Sequence, residues 1–159
     1  VMVVLLDDVE VFEQNPELAH DTPSRKDGVD EDTERMLRIY GAELVQEAAI
    51  FLRLSQTCAA TGQVIFHRFF YRRSLKQHDV EHVAKAALFL AAKFEEQPRK
   101  AKDVLNVFHG MRGQRAGHRV EPLDLGSQKY AHQKNDLRAA ELAILRELGF
   151  ILHAEHAHK

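Results

Sequence analysis

Leu88-Phe89-Leu90-Ala91-Ala92-Lys93-Phe94-Glu95-Glu96-Gln97-Pro98-Arg99-Lys100 runs from an apolar, alanine-rich segment into a charged turn. Upstream, Val80, Val83, Ala84, Ala87, Leu88, Ala91 and Phe94 recur at three and four residues, the period of one helix face. The spacing predicts a helix over about 79–95. Its alanines (Ala84, Ala86, Ala87, Ala91, Ala92) let neighbouring helices approach closely, which predicts a central position. Pro98 fits the first turn of a following helix that runs to about Met111 with Ala101, Val104, Leu105 and Phe108 inward.

Working outward, the same period recurs on both sides. A helix starts near Asp30 or Asp32, with Met36, Ile39, Tyr40, Leu44, Ala48, Phe51 and Leu52 as its apolar face. A second spans about Gln56 to Tyr71 and carries Val64, Ile65, Phe66, Phe69 and Phe70, apolar on more than one side. After a loop over 112–126, a last helix runs from about Ser127 to Leu148, with Gly149 as its C-cap. Segments that alternate apolar and polar are short, and no internal repeat is visible. The expectation is an all-α domain of five helices over 30–159, preceded by an arm over 1–29.

Charge is divided unevenly. Residues 1–34 hold eleven acids and two bases, net −9, while residues 35–159 hold thirteen acids and twenty bases, net +7. The arm reads as a solvated leader beside an ordinary basic surface; the other reading is a basic surface for an acidic partner, or an arm that folds back onto it. One cysteine, Cys58, excludes a disulfide framework and a cysteine-based zinc site. No apolar run approaches the roughly 20 residues that span a bilayer, and Val1 to Leu6 lacks the basic flank of a signal peptide.

Catalytic motifs are missing: there is no phosphate-binding glycine loop and no HExxH pair. His153, His156 and His158 match no standard ligand spacing and read as surface residues, and the pair His78 and His82, four apart, is a weak chelation signal. No cofactor or metal site is expected. Two charges interrupt apolar stripes. Glu141 lies four residues from both Leu137 and Leu145 on the inward face of the last helix, and Lys93 stands beside Phe94. A carboxylate there needs a partner. The two could form an internal ion pair, or present charge together at the edge of the core. Periodicity leaves both readings open.

The Leu88–Lys100 run resembles the central signature of the cyclin box, and Leu145-Arg146-Glu147-Leu148-Gly149-Phe150 resembles its end. Within the cyclins the chain is similar to the transcriptional type, above all to the first box of the L group. The segments that carry this are Thr22-Pro23-Ser24 with Asp27-Gly28-Val29-Asp30, then Ala60 to Tyr71, Asp103 to His109, and His156-Ala157-His158-Lys159, where the family usually has Pro at Ala157. The resemblance implies a regulatory subunit, not an enzyme. Its partner would be a cyclin-dependent protein kinase in the nucleus, whose αC helix it positions, with contacts to the transcription or splicing machinery. It implies kinase-binding roles for Lys93, Glu141, Phe94 and Glu96, and a structural role for Arg38 with Glu43. Leu44 stands where cell-cycle members carry the Trp of a substrate groove, and Gly41 thins that groove, so substrate docking is not carried over. Full cyclins have two boxes. The expectation is a fragment or truncated product that holds only the first. A nucleic-acid-binding or scaffold module of the general-transcription-factor kind is the competing reading. Arg68, Arg72, Arg73, Lys76, Arg99, Lys100 and Lys102 permit it, although no recognition helix for specific bases stands out.

Overall fold

A computed structural model describes residues 22–157, with side chains described to residue 149. The expected arm over 1–21 lies outside the described residues. The described residues form helices without any strand: α1 Pro23–Lys26, α2 Glu31–Phe51, α3 Gln56–Arg72, α4 Val80–Phe94, α5 Ala101–Arg115 and α6 Gln128–Ala157. Helix α4 touches α2, α3, α5 and α6. Ala84, Ala86, Ala87, Ala91 and Ala92 are all buried, so small side chains bring four neighbours onto one central helix.

Local chemistry starts most of these helices. Asp30 caps α2 at Thr33 N, Ser55 caps α3 at Cys58 N, and Asp79 caps α4 at His82 N. Ser127 Oγ accepts from Tyr130 N at 3.1 Å in the first turn of α6. The core between α2, α3 and α4 is aromatic, with Phe66 and Phe70 edge to face at 5.2 Å between ring centroids.

The structure departs from the sequence expectations in five places. Residues 22–29, assigned to the arm, are part of the body. Thr22 Oγ1 donates to Glu34 Oε2 at 3.0 Å, and Ser24 Oγ accepts from Leu75 N at 2.8 Å, so the hydroxyls anchor α1 to α2 and to the turn after α3. On α2, Met36, Ile39, Tyr40 and Phe51 are 69, 51, 36 and 54% exposed. Leu44, Ala48 and Leu52 of the expected face are buried, and Gly41, Val45 and Ala49 complete the buried line. Gly41 sets this phase. A Cβ there would lie 2.0 Å from Phe66 Cζ, so the glycine makes room for a core ring rather than thinning a surface groove. Helix α5 starts after Pro98, because Arg99 is turned back onto the α2–α3 corner and holds the chain extended. It also runs past Met111, where Arg112 and Arg115 pair with Glu81 and Glu47. Helix α6 continues through Gly149, which lacks the positive φ of a glycine C-cap.

Among the described residues two that are not glycine adopt left-handed backbone: Arg53 with φ 57° and Glu96 with φ 59°. Each follows a helix end, and Leu54 N bonds back to Ala49 O while Gln97 N bonds back to Ala92 O, the six-to-one closure of a Schellman turn. A Cβ in this region is disfavoured. Arg53→Gly is therefore expected to raise unfolding stability by about 0.5–1 kcal/mol, since the relief of strain exceeds the entropy lost by glycine. Urea unfolding monitored by circular dichroism checks it, and a lower midpoint contradicts the account of that turn.

Candidate functional site: a charged pair at the α4–α6 edge

Helix α6 lays Leu137, Ile144 and Leu148 against α4, all buried. Glu141 belongs to the same stripe, but where α6 crosses α4 the stripe reaches the rim of the core. There Lys93, in the last turn of α4, places Nζ 2.8 Å from Glu141 Oε1. The ammonium also lies 4.1 Å from the centroid of the Phe89 ring. Lys93 is 43% exposed in its side chain and Glu141 18%. The pair thus exists within the domain and is also open to solvent on the lysine side. On the same two helices Phe89, Phe94 and Leu145 are half-buried, and Leu142, next to Glu141 in the chain, is exposed at 47%.

The two acids after Phe94 point to different tasks. Glu95 Oε1 accepts from Thr61 Oγ1 at 3.1 Å and ties α4 to α3. Glu96 is exposed and sits in the left-handed turn. Beyond it, Gln97 Oε1 accepts from Ser55 N and Gln97 Nε2 donates to Ser55 Oγ, both at 3.1 Å. Arg99 donates to the carbonyls of Leu52 at 3.0 Å and Arg53 at 3.2 Å. Sequence reasoning missed this clasp. Ser55 and Gln97 are 42 positions apart, and no period links them.

Arg38 and Glu43 are not brought together. Five residues turn a helix by about 140° beyond a full turn, which places Glu43 on the exposed side. Arg38 instead pairs with Glu34 at 3.3 Å, donates to Phe70 O at 2.8 Å, and stacks 4.1 Å from the Tyr71 ring. It thereby joins α2 to the end of α3. Of the residues that would serve a nucleic-acid surface, Arg68 is buried, Arg73 pairs with Glu147 at 2.8 Å, and Arg99 faces the carbonyls named above. His78 packs edge-on to Phe69 at 4.9 Å, and His82 lies 3.8 Å from Asp136. Among the described residues no group of three metal-ligating side chains is assembled, and no helix is long and apolar enough to cross a membrane. The side chains of His153, His156 and His158 lie outside the described part.

His67, on α3, is perturbed by its surroundings. Burial first, and the nearby Arg38 charge second, push its pKa down from 6.5 to about 4. The folded state therefore prefers neutral imidazole. Its contribution to stability is complete above pH 6.5 and is lost as pH falls toward 4. Stability is expected to drop across that window by up to about 3 kcal/mol from this group, and His67→Gln should flatten the drop. Equal slopes in pH-dependent urea titrations of wild type and variant would contradict it.

The family profile described as "Cyclin, N-terminal domain" matches residues 10–153. The chain is 46% identical over 151 residues to Cyclin-L1-1 of Oryza sativa subsp. japonica, covering 95% of this chain and 35% of that protein. It is 50% identical over 138 residues both to Cyclin-L1 of Gallus gallus and to Cyclin-L2 of Homo sapiens, covering 87% of this chain and 26% of each. The chain thus spans about a quarter to a third of the length of these relatives. With an all-helical box around α4, a matched N-terminal domain and relatives of the cyclin L group, the chain belongs to the cyclin family and carries that family's regulatory type of domain.

Proposed function

We propose that the domain binds a cyclin-dependent protein kinase through the α4–α6 edge and holds the kinase αC helix in its active position. The observation that carries this reading is the Lys93–Glu141 pair, half-open to solvent with the lysine over the Phe89 ring, on two helices that also carry the partly buried Phe94 and Leu145 and the exposed Leu142. Binding the αC-in state preferentially shifts the kinase population toward it. That completes the kinase Lys–Glu pair, so the domain acts without contributing a catalytic atom. Glu96, two residues after Phe94, offers a carboxylate to the same partner. Similarity to cyclin L proteins supports a nuclear setting in transcription or splicing. A sequence-selective contact with DNA is not part of this reading.

Affinity capture from nuclear extract, with the wild-type chain and Lys93→Ala as paired baits, tests it. A cyclin-dependent kinase should appear on the wild-type bait and be depleted on the variant. Equal recovery on both baits would contradict docking at this edge.

A further inference from the structure

Lys93 and Glu96 occupy the end of α4, where a helix ordinarily frays because its last carbonyls lack partners. Here the end is held in a conformation that the local sequence disfavours. Glu96 has φ 59° without being glycine. Strain of this kind persists only where the surroundings over-determine it. The surroundings are visible: Gln97 N closes the turn onto Ala92 O at 2.8 Å, and Glu96 N bonds to Lys93 O at 3.2 Å. The Gln97 amide then makes two bonds to Ser55, and Arg99 grips the Leu52 and Arg53 carbonyls. The α2–α3 corner is itself closed by hydrogen bonds, because Ser55 caps α3 and Leu54 N bonds back to Ala49 O.

We propose that Gln97 and Arg99 are positioning residues for the partner-docking edge. They lock the strained turn so that Lys93 and Glu96 keep one orientation toward the kinase. The inference rests on the docking reading above and adds the device that preorganises it. Neither residue needs to touch the partner. Without the latch, the left-handed turn at Glu96 relaxes, the Lys93 carbonyl loses its acceptor role, and the Lys93 ammonium samples positions away from Glu141. Association then includes the ordering of that turn, which lowers affinity.

Two variants separate the latch from bulk packing. Gln97→Met keeps the side-chain length and removes both bonds to Ser55. Gln97→Glu keeps an acceptor for Ser55 N and can accept the Ser55 hydroxyl proton. Affinity per folded molecule is measured by calorimetry of the full chain against a panel of purified cyclin-dependent kinases, alongside amide hydrogen exchange. Gln97→Met is expected to bind roughly five- to a hundredfold more weakly, the range spanned by two net hydrogen bonds. The amides of Glu96 and Gln97 should exchange faster in that variant. Gln97→Glu should stay close to wild type in both measurements. If wild type binds and Gln97→Met binds equally well, or if both variants lose affinity alike, the positioning role is overturned while docking stands. Failure of the wild-type chain across the whole panel strikes the docking reading itself, and the positioning role falls with it.

Discussion

Glu141→Ala is expected to weaken kinase binding by roughly thirtyfold or more, and Lys93→Ala by a similar factor. In a docked complex the pair is covered by the partner, and removing one member leaves the other charged, desolvated and unmatched. Such truncations typically cost about 2–5 kcal/mol, and 1.4 kcal/mol is tenfold. The free domain should suffer much less, because Lys93 is 43% exposed and its ammonium can reach water when Glu141 is gone. Exposed pairs contribute about 0–1 kcal/mol to folding, and Glu141, only 18% exposed, puts this pair at the upper end of that range, with Lys93→Ala the costlier of the two for the free domain. The opposite pattern belongs to a purely internal ion pair: a large fall in melting temperature with unchanged affinity of the folded fraction. Thermal unfolding and kinase affinity of Lys93→Ala, Glu141→Ala and the double variant distinguish the two. In the docking account the double variant loses little more than either single one.

The second large effect concerns the core that supports this edge. Phe66 is fully buried on α3 and its ring fills the space left by Gly41 on α2. Phe66→Ala is expected to lose about 3–5 kcal/mol of stability, from lost burial and the cavity that remains. Gly41→Ala is expected to lose about 1–3 kcal/mol by overpacking. Its added methyl would meet three ring atoms of Phe66 at 2.0 to 2.7 Å, so the whole ring must move. Combining Gly41→Ala with Phe66→Leu should cost less than the sum of the two, because the smaller side chain vacates the space the methyl needs. Strict additivity in guanidinium unfolding would show that the two sites do not share one volume.

Much of the fold is legible because its signals are local. Asp30, Ser55, Asp79 and Ser127 stand at helix starts, and a side-chain oxygen from each bonds a backbone amide three residues on. The alanine run in α4 announces its central place for the same reason: small side chains and close helix approach are one fact. Thr22-Pro23 also reads as a cap followed by proline in the first turn, yet the surrounding acids drew residues 22–29 into the arm. The face of α2 was harder. Met36, Ile39 and Tyr40 follow the helical period with Leu44 and Ala48 as well as Gly41, Val45 and Ala49 do, and the ring of Phe66 seated against Gly41 marks which of them share the buried face.

The candidate site was half legible. Lys93 and Glu141 each break an apolar stripe, which marks them as charges in need of an explanation, and the structure joins them at 2.8 Å. What periodicity could not resolve was exposure, because that depends on where α6 crosses α4. Arg38 shows the same limit: its bonds go to Glu34 on its own helix and to the Phe70 carbonyl, not to Glu43. The clasp from Ser55 to Gln97 and from Arg99 to Leu52 joins residues more than forty positions apart. Contacts of that span leave no repeating mark in the chain.

The central claim is activation of a kinase by this domain, and phosphoryl transfer measures it most directly. A purified cyclin-dependent kinase that binds the chain is assayed on a peptide substrate while the chain is titrated in, with Glu141→Ala run in parallel. The account predicts a saturable rise in rate with wild type, displaced to higher concentration for the variant. A kinase that binds the chain at the α4–α6 edge and shows no rise in rate at saturation would contradict it.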